Sequence, residues 1–107
     1  MMRWKKYADA IPVLQRCIQL APGNISFYHQ LSQAFVHIGQ PVPARDTLHR
    51  AIQLNPREPH SYNILGVTYA MQGDIPNAIE ALLKGVEFAP EAPYLHNNLA
   101  KLYKQIG

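Results

Sequence analysis

Five histidines, one cysteine and many side-chain amides are the groups of this 107-residue chain that could do chemistry. Imidazoles bind zinc, but a closed site needs four ligands gathered around one ion. His29 and His37 stand eight residues apart, about two helical turns. His49, His60 and His96 occur singly, with no HxxxH pair and no Cys–His cluster. The sequence therefore implies no metal and no cofactor. Catalysis lacks a vehicle too: there is no Gly-rich phosphate loop and no nucleophile elbow. Cys17 falls in an apolar stripe, where burial keeps a thiol inert. We expect no enzymatic activity. The amides remain, and each offers a peptide unit both a donor and an acceptor.

Bulk composition narrows the partners. Charged residues make up 16% of the chain, against ~25% in an ordinary soluble domain, and the polarity comes instead from Gln, Asn and His. The formal net charge is only +3, with no basic run beyond Lys5–Lys6, so no nucleic-acid footprint is expected. No apolar stretch approaches the ~20 residues that cross a bilayer, so no membrane partner is expected either. The opening MMRWKKYADA lacks the features of a secretory signal. A lone cysteine cannot staple the domain. These features together favour the cytoplasm.

The elements that carry these groups follow from a period. Pro22, Pro56 and Pro90 are 34 residues apart, in IQLAPGN, IQLNPRE and VEFAPEA, and Leu31, Leu65 and Leu99 share one phase. Within each period two helical patterns alternate. The first is Tyr28, Leu31, Ser32, Phe35; then Tyr62, Leu65, Gly66, Tyr69; then His96, Leu99, Ala100, Tyr103. That i, i+3, i+4, i+7 spacing puts four residues on one helix face, with large rings flanking a small residue that lets a neighbour approach. His96 takes a ring's place and is expected to pack. The second pattern is Ala44, Leu48, Ala51, then Ala78, Leu82, Gly85, with Ala10, Leu14, Cys17 as an earlier copy. Gly39 and Gly73 close first helices, and Pro43, Pro59, Pro76 and Pro93 fall in first turns. With Asp9 as an N-cap, Pro12 would do the same. The reading is all-α, with six helices near 8–20, 25–38, 43–54, 59–72, 75–88 and 93–106.

These residues resemble the tetratricopeptide repeat, W-x2-L-G-x2-Y…A-x3-F…P. Residues 25–58 and 59–92 each supply eight matched places, with Tyr for Trp, Ser32 for Gly and Gly85 for a small Ala. Residues 1–24 match a second helix and 93–107 a first helix, so 1–107 reads as one domain of two full repeats between two half repeats. The resemblance implies a right-handed α-solenoid of antiparallel helix pairs, with first helices lining a concave groove that holds a peptide or helix.

By helical phase the implied groove carries Ser26, His29, Gln30, Gln33, Val36 and His37 on the first such helix. His60, Asn63, Ile64, Val67, Ala70 and Met71 follow on the second. Tyr94, Asn97, Asn98, Lys101, Lys104 and Gln105 complete it on the third. Lys101 and Lys104 are the only charged residues within these helices, so the expected partner is a neutral to mildly acidic peptide. Family members that clamp a terminal carboxylate use basic residues where this chain has His29, Tyr94 and Asn98, and that mode is not expected. Asparagine ladders that hold peptide backbone are another family mode; Asn98 falls at the ladder place, and Ile64 interrupts it.

The phase also suggests an alternative, a self-assembly unit or a section of a longer array. A second-type helix comes first and a first-type helix last. Ile11, Leu14 and Ile18 at one end, and Leu95, Leu99, Leu102, Tyr103 and Ile106 at the other, are expected to be partly uncovered. A homo-oligomer could then form through the terminal helices, one completing the other's half repeat.

Overall fold

The structure, a computed structural model, describes residues 3–107, with Met1 and Met2 of the first expected segment outside the described residues. Six helices follow one another: α1 (Arg3–Leu20), α2 (Ile25–His37), α3 (Pro41–Leu54), α4 (Pro59–Met71), α5 (Ile75–Phe88) and α6 (Pro93–Ile106). Local chemistry explains the boundaries. Asn24 accepts the Ser26 amide at 3.1 Å, and Glu58 accepts that of His60 at 3.2 Å. Asp74 caps α5 by accepting the Asn77 amide, and it also accepts the Asn77 side-chain amide at 2.7 Å. Helices α3, α4, α5 and α6 all carry proline in the first turn. Gly39 and Gly73 take φ of 76° and 79°, the left-handed conformation that ends α2 and α4. The next residues bond back in the same way, Gln40 N–H to the Phe35 carbonyl and Asp74 N–H to that of Tyr69.

One boundary departs from the sequence reading. α1 begins at Arg3 rather than near Ala8, so Pro12 sits in its interior and Asp9 is an exposed helical residue, not a cap. The reason is the spacing of Tyr7, Ala10 and Leu14, which extends the α2-facing stripe one turn back. Tyr7 stacks on His37 with ring centroids 4.1 Å apart and planes 10° from parallel.

The chain forms two compact units, the first ending at Pro56 and the second running from Arg57 to Gly107. In the first, α2 packs on both α1 and α3, around a core of Ile18, Tyr28, Leu31 and Ala51. In the second, α5 packs on α4 and α6, around Ala78, Leu82, Leu95, Leu99 and Leu102. The small places work as the spacing predicts at two positions: Ser32 is fully buried and Gly66 is buried against α5. Ala100, in the same register, is exposed, because among the described residues no helix packs on that face of α6.

The terminal stripes need correcting. Leu95, Leu99 and Leu102 are buried, because α6 turns them onto α5 as part of the core. Ile18 is buried as well, against α2. Ile11 and Leu14 are half-buried, and only Tyr103 and Ile106 stand out, at 48% and 59% exposure.

Candidate functional site

In the second unit, α4 and α6 touch along one side, and the groups they bring together form three layers. His60 and Tyr94 meet edge to face, ring centroids 5.9 Å apart. One turn further along, the Asn98 side-chain amide donates to the Asn63 carbonyl oxygen at 2.8 Å. Beyond this pair lies a cleft of about 260 Å³ lined by Gly66, Val67, Ala70, Leu82, Asn98, Lys101, Leu102 and Gln105. Its body is apolar and its rim polar. Asn97, Lys101 and Lys104 are exposed beside it.

Of the expected residues on these helices, His60, Asn63, Val67, Tyr94, Asn98 and Lys101 are thus gathered on one face. Ile64 is not: it is 5% exposed, and its carbonyl accepts the buried Thr68 hydroxyl. Leu82 and Leu102 form much of the cleft's interior, although the spacing marks Leu82 for packing and Leu102 for an uncovered terminal stripe. The cleft lies beside the close contact of Gly66 with Leu82, and the small place in the helix pattern is the signal for that contact.

The first unit has a counterpart. A cleft of about 260 Å³ between α1 and α2 is lined by Lys6, Tyr7, Ala10, Leu14, Gln30, Gln33, Ala34 and His37. The α2 contributors stand two periods before Asn98, Lys101, Leu102 and Gln105. The wall is therefore built in one register with different chemistry, glutamine and histidine in place of asparagine and lysine. Ser26 and Gln30 are exposed and joined by a 3.1 Å hydrogen bond, and His29 is half-buried.

His96 departs from its expected packing role. It is exposed, and its Nε2 lies 2.7 Å from the Pro90 carbonyl. Two periods earlier the Tyr28 hydroxyl donates to the Pro22 carbonyl at the same distance. Imidazole keeps the hydroxyl's bond to the helix-connecting turn while giving up part of the ring's packing.

Residues 3–67 match a family model described as tetratricopeptide repeat, and 69–107 match one described as TPR repeat. The chain belongs to the tetratricopeptide repeat family. Solved TPR domains superpose closely. The first TPR of Spaghetti (RPAP3), bound to the HSP90 peptide SRMEEVD, gives a TM-score of 0.86 at 19% identity, over 95% of this chain and 81% of that one. The Sgt2 TPR domain from Aspergillus fumigatus gives 0.87 at 23% identity, over 98% and 71%. The Yersinia enterocolitica type III secretion chaperone SycD, in complex with a peptide of the translocator YopD, gives 0.84 at 18% identity, over 96% and 84%. At these identities the likeness shows the all-α TPR fold. No curated protein sequence matches the chain. Among the described residues, no helix is long and apolar enough to cross a membrane.

Proposed function

We propose that this TPR chain is a protein-interaction scaffold that holds a neutral or mildly acidic peptide segment against its first-type helices. The observation that carries the reading is the Asn63–Asn98 pair beside the α4/α6 cleft. The bond between them uses one donor of Asn98 and one lone pair of Asn63, leaving the Asn98 oxygen and the Asn63 amide to serve a peptide unit. The reading requires no catalytic group. Peptides bound by the Spaghetti and SycD domains support it at the level of the fold. Asn97 and Lys104 on α6 belong to the same proposal, and Ser26, His29, Gln30, Gln33 and His37 on α2 would serve the first unit's own cleft in the same way. The burial of Ile64 argues against a continuous asparagine ladder.

Amide chemical-shift mapping with a peptide found by array screening tests this. Shifts should concentrate at Asn63, Val67, Asn98 and Lys101, and Asn98→Ala should weaken binding. A tight, strongly basic ligand, or shifts confined to the Leu83 and Glu87 side of α5, would overturn the reading.

A second reading, association between copies, is favoured by the register. The stripe Ala78, Leu82, Gly85 is buried, as is Ala44, Leu48, Ala51, whereas Ala10, Leu14 and Cys17 are only half-buried. Ala100 and Tyr103 on α6 occupy the phase of Gly66 and Tyr69, which cover α5 in the second unit. The α6 face of one copy therefore suits the α1 stripe of another.

A further inference from the structure

The geometry points to an anchor subsite in the α4/α6 cleft: we propose that it takes one leucine- or methionine-sized side chain of the bound segment, with an adjacent aspartate or glutamate side chain reaching Lys101 or Lys104. This rests on the peptide-binding reading above. At about 260 Å³ the cleft falls below the ~300–1,000 Å³ of drug-sized ligand pockets, which suits a single side chain. Val67, Ala70, Leu82 and Leu102 supply an apolar interior, and Gly66 contributes backbone to its wall where Leu82 packs against it.

Charge decides what lies beside the anchor. Neither α4 nor α6 contains an Asp or Glu, and Lys101 and Lys104 are exposed with no ion pair among the described residues. A ligand carboxylate meets two cations on this face and no competing anion. Spacing ties the parts together. From Asn98 to Lys101, and from Asn63 to Gly66, is three residues, a rise of ~4.5 Å. Extended chain advances ~3.3 Å per residue, so the peptide unit held by the asparagines and the anchor lie within about two residues. Lys104 stands one further turn along, within reach of the residue next to the anchor. The lysines lie past the clamp positions, Tyr94 and Asn98, so the carboxylate they receive is an internal side chain.

The test uses a positional-scanning library of nine-residue peptides, acetylated at the amino end and made with both amidated and free carboxy termini, with binding read by fluorescence polarisation. Leu, Met, Ile or Val next to Asp or Glu should be selected, and alanine at the anchor should weaken binding about tenfold or more. Ala70→Leu fills the cleft and Gln105→Trp covers it from an exposed position; both should erase the apolar preference. The double change Lys101→Glu and Lys104→Glu should reverse the acidic preference. Circular dichroism checks the fold of each, and Gln105→Trp serves if Ala70→Leu does not fold. Peptides that weaken with Asn98→Ala but show no apolar–acidic preference, keep it in Gln105→Trp, or need a free carboxy terminus would overturn the subsite and leave the peptide reading standing. No peptide bound, or binding indifferent to every variant on this face, would instead defeat the peptide reading itself.

Discussion

A methyl group on Gly66 would stand 2.7 Å from Cγ of Leu82, closer than side-chain carbons pack, so α4 and α5 meet at a distance only glycine allows. The Ala78 carbonyl, 3.2 Å from the same point, prevents escape by a simple rotamer change. Gly66→Leu should overpack this contact and cost ~1–3 kcal/mol or more. Thermal unfolding should show a loss of several degrees. A melting point within one degree of the parent would refute the contact.

Gly85 presents the opposite case. A methyl there would meet the Leu95 methyl tips at 2.9 and 3.3 Å, the movable end of a flexible side chain. Alanine also gains ~1 kcal/mol of helix propensity over glycine. Gly85→Ala should therefore stay within about 1 kcal/mol of the parent, while Gly66→Ala loses more. Urea unfolding of the two variants checks the order, and equal losses would contradict it.

These two glycines also show how far the sequence could be read. Their places in the 34-residue register predict close packing, and the left-handed turns at Gly39 and Gly73 follow from residue type. Helical phase gives one face at a time, however, and while Leu99 belongs to the repeat stripe, Leu95 and Leu102 join it in the core from positions the stripe does not mark. Ile64 fails for the same reason: it falls at the edge between the groove face and the core. The Asn63–Asn98 bond depends on the offset between two helices, which no single helix's phase contains.

Tyr28 links its helix to the preceding turn through the 2.7 Å bond to the Pro22 carbonyl, with Arg50 5.0 Å from its ring centroid. Tyr28→Phe keeps the ring and loses the bond, so stability should fall by ~0.5–1.5 kcal/mol. Denaturant unfolding at constant m-value is the measurement. No change would mean that water replaces the hydroxyl contact without cost.

Peptide affinity should weaken only moderately with salt, because Lys101 and Lys104 are the only charges on the α4/α6 face. Titrations between low and high salt check this. A steep dependence would place the ligand on a more charged surface.

Association between copies, if α6 completes the α1 stripe, should be abolished by Ala100→Glu or Tyr103→Glu. Both positions are exposed, so the fold should survive. Leu99→Lys is a poor probe because Leu99 belongs to the core of the second unit. Sedimentation across concentration gives the result. A strict monomer at ~1 mM, well above the micromolar range of modest affinities, would dismiss this reading.

Pro12 has no amide hydrogen to give to the Ala8 carbonyl, so the bonding ladder of α1 is interrupted between its first turns and the rest. Ile11 beside the gap still packs on the core that holds Ile18, so only the turn before it can open without disturbing that core. The flat ring of Tyr7 laid on His37 helps fasten it, a clasp between the start of one helix and the end of the next. The first unit thus has a hinged margin next to its own cleft. Amide exchange there should follow the release of that clasp rather than global unfolding.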